Sequence, residues 1–112
     1  MRTNCLQSIK SGWQFRKLLR HGYRFTGKVL RARYHKNTLG RVRLGFSVSA
    51  KTGNAVQRNL FKRRLRQYSV EVVVEKGFDA VIFPTIPLKY INWKMIKVDM
   101  EKLVKHTEKN RK

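Results

Sequence analysis

The sequence has little acid, one cysteine, two prolines and no long apolar run. Only 6 of its 112 residues are Asp or Glu, against 27 Lys and Arg, so the formal net charge is +21. Such a charge opposes compaction unless a polyanion neutralises it, and nucleic acid is the first candidate. An anionic membrane surface is the second, but we find no amphipathic helix whose apolar face the core does not need. The charge therefore predicts a nucleic-acid-binding protein.

The other scarcities exclude several classes of protein. A single cysteine, Cys5, cannot form an internal disulfide, which fits a reducing cytoplasm. No stretch reaches the roughly 18 apolar residues of a membrane helix, and the N-terminus lacks the apolar region of a signal peptide. The acids form no spaced cluster for two metals, and no Cys–His zinc pattern exists. We expect a cytoplasmic protein with no membrane partner and no metal-binding or catalytic residues, although a histidine pair for acid–base cleavage stays open.

Hydrophobic periodicity predicts a single α+β domain over residues 1–112, in the order helix, strands, helix, strand, helix. A short arm at residues 1–10 precedes it, and a charged tail from about Lys105 is expected to fray. The first helix is predicted from about Gly12 to His21, with a capping box at Ser11 and Gln14. Gly22 is expected to end it in a left-handed conformation.

The middle of the chain gives the clearest pattern. Val42, Leu44, Phe46 and Val48 alternate with basic or small residues, which predicts a strand with one core face. From Ala55 to about Glu75 the period changes to 3.6 and predicts a helix, with an earlier end as the alternative because the stretch from Val70 to Val74 is β-leaning. The apolar run from Asp79 to Phe83 predicts a buried strand that ends at Pro84. Asn92 is predicted to cap the last helix. We assign Phe46, Trp13 and Trp93 to the core.

The segment from Ser47 to Arg66 carries the strongest functional signal. A strand ends, a glycine-containing loop follows, and a helix begins, which is an arrangement that binds phosphate. Arg58, Lys62 and Arg66 recur at i, i+4 and i+8, and Asn59 and Arg63 broaden the stripe. No acid lies between Arg41 and Val70, so salt bridges within the helix do not account for these cations. The stripe is predicted to bind an RNA backbone.

The same segment resembles the signature of the bacterial ribonuclease P protein family. The match consists of Gly53-Asn54-Ala55-Val56, Arg58-Asn59, Lys62-Arg63 and Arg66, and the Phe15-to-Gly22, Leu44-to-Ser49 and Gly77-to-Ile82 segments agree in order and spacing. The chain departs from the pattern at four positions. Leu60 replaces a third basic residue, Ala50 a first lysine, Leu19 an aromatic and Arg33 a strand tyrosine. Arg64, whose stem is expected to pack on the core, offers a partial replacement for the missing cation.

The resemblance implies a fold like the second domain of a small-subunit ribosomal protein, with a left-handed strand–helix–strand crossover; the general handedness rule alone would make it right-handed. It also implies two RNA surfaces. One binds the catalytic ribonuclease P RNA and comprises Lys51, Gly53, Asn54, Arg58, Asn59, Lys62, Arg63 and Arg66. The other is a cleft for the single-stranded 5′ leader of precursor tRNA, with Phe15, Arg31, Arg33, Arg43, Ser47 and Ser49 as candidates.

By the same resemblance, the RNA binds the Mg²⁺ ions and performs the hydrolysis, and no protein partner is required. Phe15 has two interpretations: it stacks on a base of the leader, or it packs in the hydrophobic core. Two rival functions stay open at this point: a structural ribosomal-type RNA-binding protein or RNA chaperone, and a nuclease that acts without RNA.

Overall fold

The computed structural model describes residues 12–72 and 77–109, with side chains described from Phe15 onward. The helices are α1 (Gly12–His21), α2 (Ala55–Glu71) and α3 (Trp93–Lys109), and the strands are β1 (Tyr23–Thr26), β2 (Leu30–Lys36), β3 (Val42–Phe46) and β4 (Phe78–Pro84). Single 3₁₀ turns lie at Ala50–Thr52 and Leu88–Tyr90. The predicted α+β class and the predicted order of elements are confirmed.

The four strands form one mixed sheet in the order β1-β2-β4-β3. β3 pairs in parallel with β4 through the α2 crossover, while β1 with β2 and β2 with β4 are antiparallel. Both faces of β4 are covered, one by the core under α2 and α3 and the other by Leu18 of α1, which explains its nearly continuous apolar sequence. The parallel crossover predicted from segment length is therefore present, and its left-handed sense stays a prediction.

The sheet has apolar residues on both faces. On one face Tyr34, Leu44 and Ile82 pack with Leu65 of α2 and Met100 of α3 in the main core. Phe46, Val48 and Trp93 pack against its border, which confirms the core assignment of Phe46 and Trp93; the Trp13 side chain lies outside the described residues. On the other face, which we call the α1 face, Leu18 packs on the fully buried Val81, with Phe15 and Phe83 at the margin.

The predicted left-handed end of α1 is wrong. Among the described residues only Gly40, in the turn between β2 and β3, has a positive φ, at 74°. Gly22 is required for another reason, because a Cβ there would lie 2.7 Å from the Leu18 carbonyl oxygen and 3.1 Å from the Tyr34 backbone. α1 therefore ends where the chain passes close to β2. Ser11, one half of the predicted capping box, lies outside the described residues.

The C-terminal helix extends further than the sequence suggested. We expected fraying from Lys105, but α3 continues to Lys109. Thr107 is buried and its Oγ1 donates a hydrogen bond to the Val104 carbonyl oxygen at 2.6 Å. One face of the charged segment still contacts the core, which keeps it helical. At the other end Asn92 Oδ1 accepts from Met95 N at 2.9 Å, as predicted for the cap.

α3 also holds the turn between β1 and β2. Asp99 is 1% exposed, and its carboxylate accepts backbone hydrogen bonds from Lys28 at 3.2 Å, Val29 at 2.7 Å and Leu30 at 3.0 Å. Gly27 lies so close that a Cβ there would be 2.5 Å from the carboxylate. A buried carboxylate is stable only when such donors surround it. Asp99 thus fixes the turn through which β2 enters the sheet.

Candidate nucleic-acid interface

The start of α2 is fixed by a reciprocal pair of hydrogen bonds. Asn54 Oδ1 accepts from Gln57 N at 2.8 Å, and Gln57 Oε1 accepts from Asn54 N at 2.9 Å. Gly53 leaves room for this arrangement, because a Cβ there would lie 2.7 Å from Gln57 Oε1 and 3.1 Å from Leu88. Gly53 and Asn54, both predicted to contact RNA, therefore have a structural role in beginning the helix that presents the cations.

The five polar side chains predicted to form a stripe on α2 do lie on one side of the helix. At about 100° per residue, Arg58, Lys62, Arg66, Asn59 and Arg63 span an arc of about 140°. Asn59 and Arg63 are exposed and the other three are half-buried, so none is enclosed by the core. We call these five residues the α2 cation arc. Its geometry permits contact with several successive phosphates.

One end of this arc is anchored to the edge of the sheet. The Arg66 guanidinium lies over the Phe46 ring, 5.3 Å from its centroid. Phe46 is the last residue of β3, and β3 is an edge strand. Such a contact holds the guanidinium in place while its donors remain available. The α2 cation arc therefore runs beside the edge at which β3 ends.

Leu60 and Arg64 lie on a different flank of α2. Both are half-buried and line a small gap against Leu88, Ile91 and Ile96, at the contact with α3. The expected packing of the Arg64 stem is confirmed. Position 60 thus lies on the same flank as Arg64 and outside the α2 cation arc, and the partial replacement of a cation there by Arg64 stays a prediction.

The α1 face of the sheet has a regular lattice of side chains, because paired residues on neighbouring strands point the same way. One row crosses the sheet as Thr26, Arg31 and Phe83, and a second as Arg24, Arg33 and Val81. α1 covers the centre of this lattice through the contact of Leu18 with Val81. Phe15 is half-buried at the border of that contact. A groove is left open on the β1 side of α1.

Three arginines dominate this open side. A depression of about 230 Å³ is lined by Arg24, Phe25, Thr26, Arg31, Ala32, Arg33 and Phe83, and we call it the arginine pocket. The Arg31 guanidinium lies 5.9 Å from the Phe83 ring centroid. Arg33 Nε donates to the Gly22 carbonyl oxygen at 3.3 Å. Arg31 and Arg33, predicted to contact the leader, are therefore brought together.

Arg43 is in a different environment. It donates from Nε to Asp79 Oδ1 at 2.9 Å and from Nη2 to Asp79 Oδ2 at 2.7 Å. These hydrogen bonds raise the pKa of the Arg43 guanidinium above its ordinary value, against the opposing effect of burial. Asn37 Nδ2 donates to the same carboxylate at 2.7 Å. The structure thus pairs Arg43 with an acid that the sequence analysis did not connect to it.

The two serines predicted on strands lie outside β3, which ends at Phe46. Ser47 still donates its N–H to the Ile82 carbonyl oxygen at 3.0 Å, so it extends the ladder. Ser49 is wrongly placed by the prediction, since it precedes the 3₁₀ turn and its carbonyl accepts from Thr52 Oγ1 at 2.7 Å. Ser47, Ser49 and Lys51 are all exposed, around the end of β3 that leads to α2.

Sequence reasoning missed Phe83 and Arg24 as groove residues. The sequence predicts a buried strand from Asp79 to Phe83, but Phe83 is half-exposed on the α1 face. A signal for Arg24 existed, since it precedes Phe25 by one residue and must point away from the core that buries Phe25. Phe83 has no comparable signal in the sequence, because both faces of β4 are apolar.

In 12–72 and 77–109, no three histidine, cysteine or acidic side chains come close enough together to hold a metal ion. In the same ranges no helix has the length and apolar character needed to cross a bilayer.

Comparison with known proteins gives a consistent result. Residues 4–108 match the family model described as Ribonuclease P. The chain is 31% identical to the ribonuclease P protein component of Clostridioides difficile, over 94% of this chain and 95% of that protein. A solved RNase P protein from Staphylococcus aureus superposes with a TM-score of 0.75 at 27% identity, covering 89% of this chain and 94% of the other. The RNase P protein from Thermotoga maritima shares the fold, with a TM-score of 0.76 at 24% identity and coverage of 89% and 96%.

Proposed function

Since this chain belongs to the ribonuclease P protein family, we propose that it binds the catalytic RNA of ribonuclease P through α2 and the 5′ leader of precursor tRNA through the groove beside α1. As a ribonuclease P protein component it takes part in tRNA 5′ processing. We propose that one surface of the protein holds the catalytic RNA and the other holds the substrate leader. The cytoplasmic location expected from the single cysteine stays a prediction.

The observation that carries the proposal is the α2 cation arc. Its cations lie on one side of the helix, with no acidic residue from Ala55 through Val70 to neutralise them. Free guanidinium and ammonium groups in this arrangement bind phosphates and release counterions. The RNA subunit is a polyanion large enough to span the whole arc.

The loop before α2 supports the same surface. Lys51 is exposed on the 3₁₀ turn, and the first turn of α2 presents its partial positive charge beside it. Gly53 and Asn54 act in this proposal mainly by holding that turn, since the Asn54 side chain is already engaged with Gln57. Their contribution to RNA binding is therefore positional.

The leader is assigned to the α1 face of the sheet. Arg31 and Arg33 supply cations there, and the half-buried rings of Phe15 and Phe83 lie at the margin of the α1 contact. Single-stranded RNA binds to this combination of cationic groove and aromatic rings. Ser47 lies beyond Phe83 at the β3 edge and connects the groove to the side on which α2 begins.

We assign the chemistry to the RNA. Bound Mg²⁺ would activate the attacking water and stabilise the leaving oxygen in the phosphodiester hydrolysis. Following the family resemblance, we place those ions mainly on the RNA subunit. The protein contributes affinity for the leader and neutralises phosphate charge near it.

The test is cleavage of precursor tRNA at low Mg²⁺ by a bacterial ribonuclease P RNA, with and without this chain. We expect the chain to stimulate cleavage and to tighten binding of leader-bearing substrate more than that of mature tRNA. Absence of stimulation would favour a structural RNA-binding role. Leader removal by the purified chain without RNA would instead indicate a nuclease that acts by itself.

A further inference from the structure

The arginine pocket has a charge distribution that the fold does not need. Arg24 and Arg33 are direct cross-strand neighbours, and like charges at such positions destabilise a sheet. Arg31 lies in the adjacent row, and no acidic side chain is among the described residues that line the pocket. The three guanidinium groups therefore repel one another in the free protein. A ligand that offers acceptor atoms removes this cost.

Two of these guanidinium groups are held in place. Arg33 uses Nε to bond the Gly22 carbonyl oxygen, which leaves its Nη groups for a ligand. Arg31 lies over the Phe83 ring. Because a guanidinium has only donors, the polar side chains that line the pocket offer donors alone, apart from the Thr26 hydroxyl. A planar group bound here would have to present acceptors.

Nucleobases differ in how well they meet this demand. The exposed edge of guanine carries two adjacent acceptors, O6 and N7, which match an arginine fork, whereas adenine pairs its N7 acceptor with an N6 donor. In single-stranded RNA these edges are free, and bases stack on aromatic rings. The volume of about 230 Å³ lies below the range of drug-sized ligand sites, as suits a single base.

We propose that the arginine pocket binds one nucleobase of the 5′ leader and selects guanine over adenine at that position. This inference rests on the proposed function, because it requires the leader to lie on the α1 face. The incoming base replaces the Arg31 guanidinium on the Phe83 ring, and that guanidinium, with Arg33, donates hydrogen bonds to the acceptor edge of the base. The pocket is then a specificity-determining part of the groove.

The experiment uses the holoenzyme, reconstituted from this chain and a ribonuclease P RNA. Precursor tRNAs carry an all-adenine leader in which a single guanine is moved one position at a time, and the Kd of each is measured. At one position we expect guanine to bind about tenfold more tightly than adenine. Inosine, which keeps O6 and N7, should match guanine there, and 7-deazaguanine should lose most of the gain.

Protein variants locate the effect. Arg31→Lys keeps the charge but loses the planar fork, so the guanine-to-adenine ratio should fall close to one. Phe83→Leu should weaken binding of both bases. Arg20→Lys, the same change on the exposed outer side of α1, is the control and should leave the ratio unchanged.

The outcomes are separable. If the leader tightens binding but guanine has no advantage at any position, the base preference is refuted and the leader assignment stands. A preference for guanine that persists in Arg31→Lys also refutes the role of this pocket. If the leader adds no affinity with any sequence, the proposed function itself fails.

Discussion

Asp79 neutralises Arg43 on one side of the α1 face, through hydrogen bonds of 2.9 and 2.7 Å to the two carboxylate oxygens. Arg31, on the same face, has no such acid among the described residues of its pocket. The two arginines were equivalent candidates in the sequence. The structure makes them unequal, because a paired guanidinium must give up its carboxylate before it gains from a phosphate.

This inequality predicts different effects on leader binding. Arg31→Ala should lower the affinity for leader-bearing precursor tRNA, with little change for mature tRNA. Arg43→Ala should lower it less, and it should reduce protein stability because Asp79 loses its charged partner while the hydrogen bond from Asn37 remains. Binding titrations of both substrates and urea denaturation of both variants check this. An equal loss of leader affinity in the two variants would contradict the assignment.

The α2 cation arc predicts a salt-dependent loss of RNA affinity. Lys62→Ala combined with Arg66→Ala should weaken binding to the RNA subunit and reduce the slope of log K against log salt by about 0.7–0.9 per lost phosphate contact. Lys102→Ala with Lys105→Ala removes the same charge from the exposed side of α3 and serves as the control. Equal slopes in both double variants would mean that net charge, and not the arc, determines affinity.

Two substitutions of Asn54 separate its role as helix cap from the effect of charge on RNA binding. Asn54→Asp keeps an N-cap acceptor, so the free energy of unfolding should hardly change, while the added negative charge should weaken RNA binding. Asn54→Ala removes the cap and should cost about 1 kcal/mol of stability. Denaturant midpoints and RNA affinities of the two variants test this. Undiminished RNA affinity in Asn54→Asp would place the RNA away from the start of α2.

Asp99 is predicted to be essential for stability. Asp99→Asn replaces one carboxylate oxygen by an NH₂ group, which must face either the Lys28 N–H or the N–H groups of Val29 and Leu30, all of which need an acceptor. We expect a loss of about 2–4 kcal/mol, within the range for an unsatisfied buried network. Glu108→Gln, on the exposed side of the same helix, should change stability by no more than about 0.5 kcal/mol. Urea denaturation measures both, and a small loss for Asp99→Asn would show that the turn adapts.

Deprotonation of the buried Tyr68 hydroxyl is expected to lower the stability of the fold at alkaline pH. Burial, and secondarily the charge of Glu101, raises the pKa of its hydroxyl above the ordinary value of 10.0. The folded state therefore holds this proton more tightly than the unfolded state, so its contribution to stability is full below pH 10.0 and is lost as pH rises through the folded pKa. Tyr68→Phe should flatten the decline of the urea midpoint above pH 10.0. Tyr90 is exposed, so Tyr90→Phe should leave the decline of the urea midpoint unchanged.

Local patterns predicted the elements well where one rule dominated. The alternation that begins at Val42 and the change of period at Ala55 gave β3 and α2, and Asn92 gave the start of α3. The errors occurred where contacts between distant segments decide. Gly22 is required by its closeness to Tyr34, and the last turn of α3 is kept helical by the burial of Thr107.

The candidate site divides in the same way. Spacing along one helix was enough to place Arg58, Lys62 and Arg66 on one side, because a helix repeats every 3.6 residues. The pairing of Arg43 with Asp79, 36 residues away, depends on the strand order. So does the cluster of Arg24, Arg31 and Arg33 beside Phe83, which requires β1 and β4 to lie on opposite sides of β2.

The sequence by itself determined the excess of positive charge, the helix that displays it and the family to which the chain belongs, since these depend on composition and on short-range periodicity. Only the tertiary structure decided which of the arginines remain available to a ligand. That depends on which strands become neighbours and on which acids they bring within hydrogen-bonding distance, and this is a property of the assembled sheet.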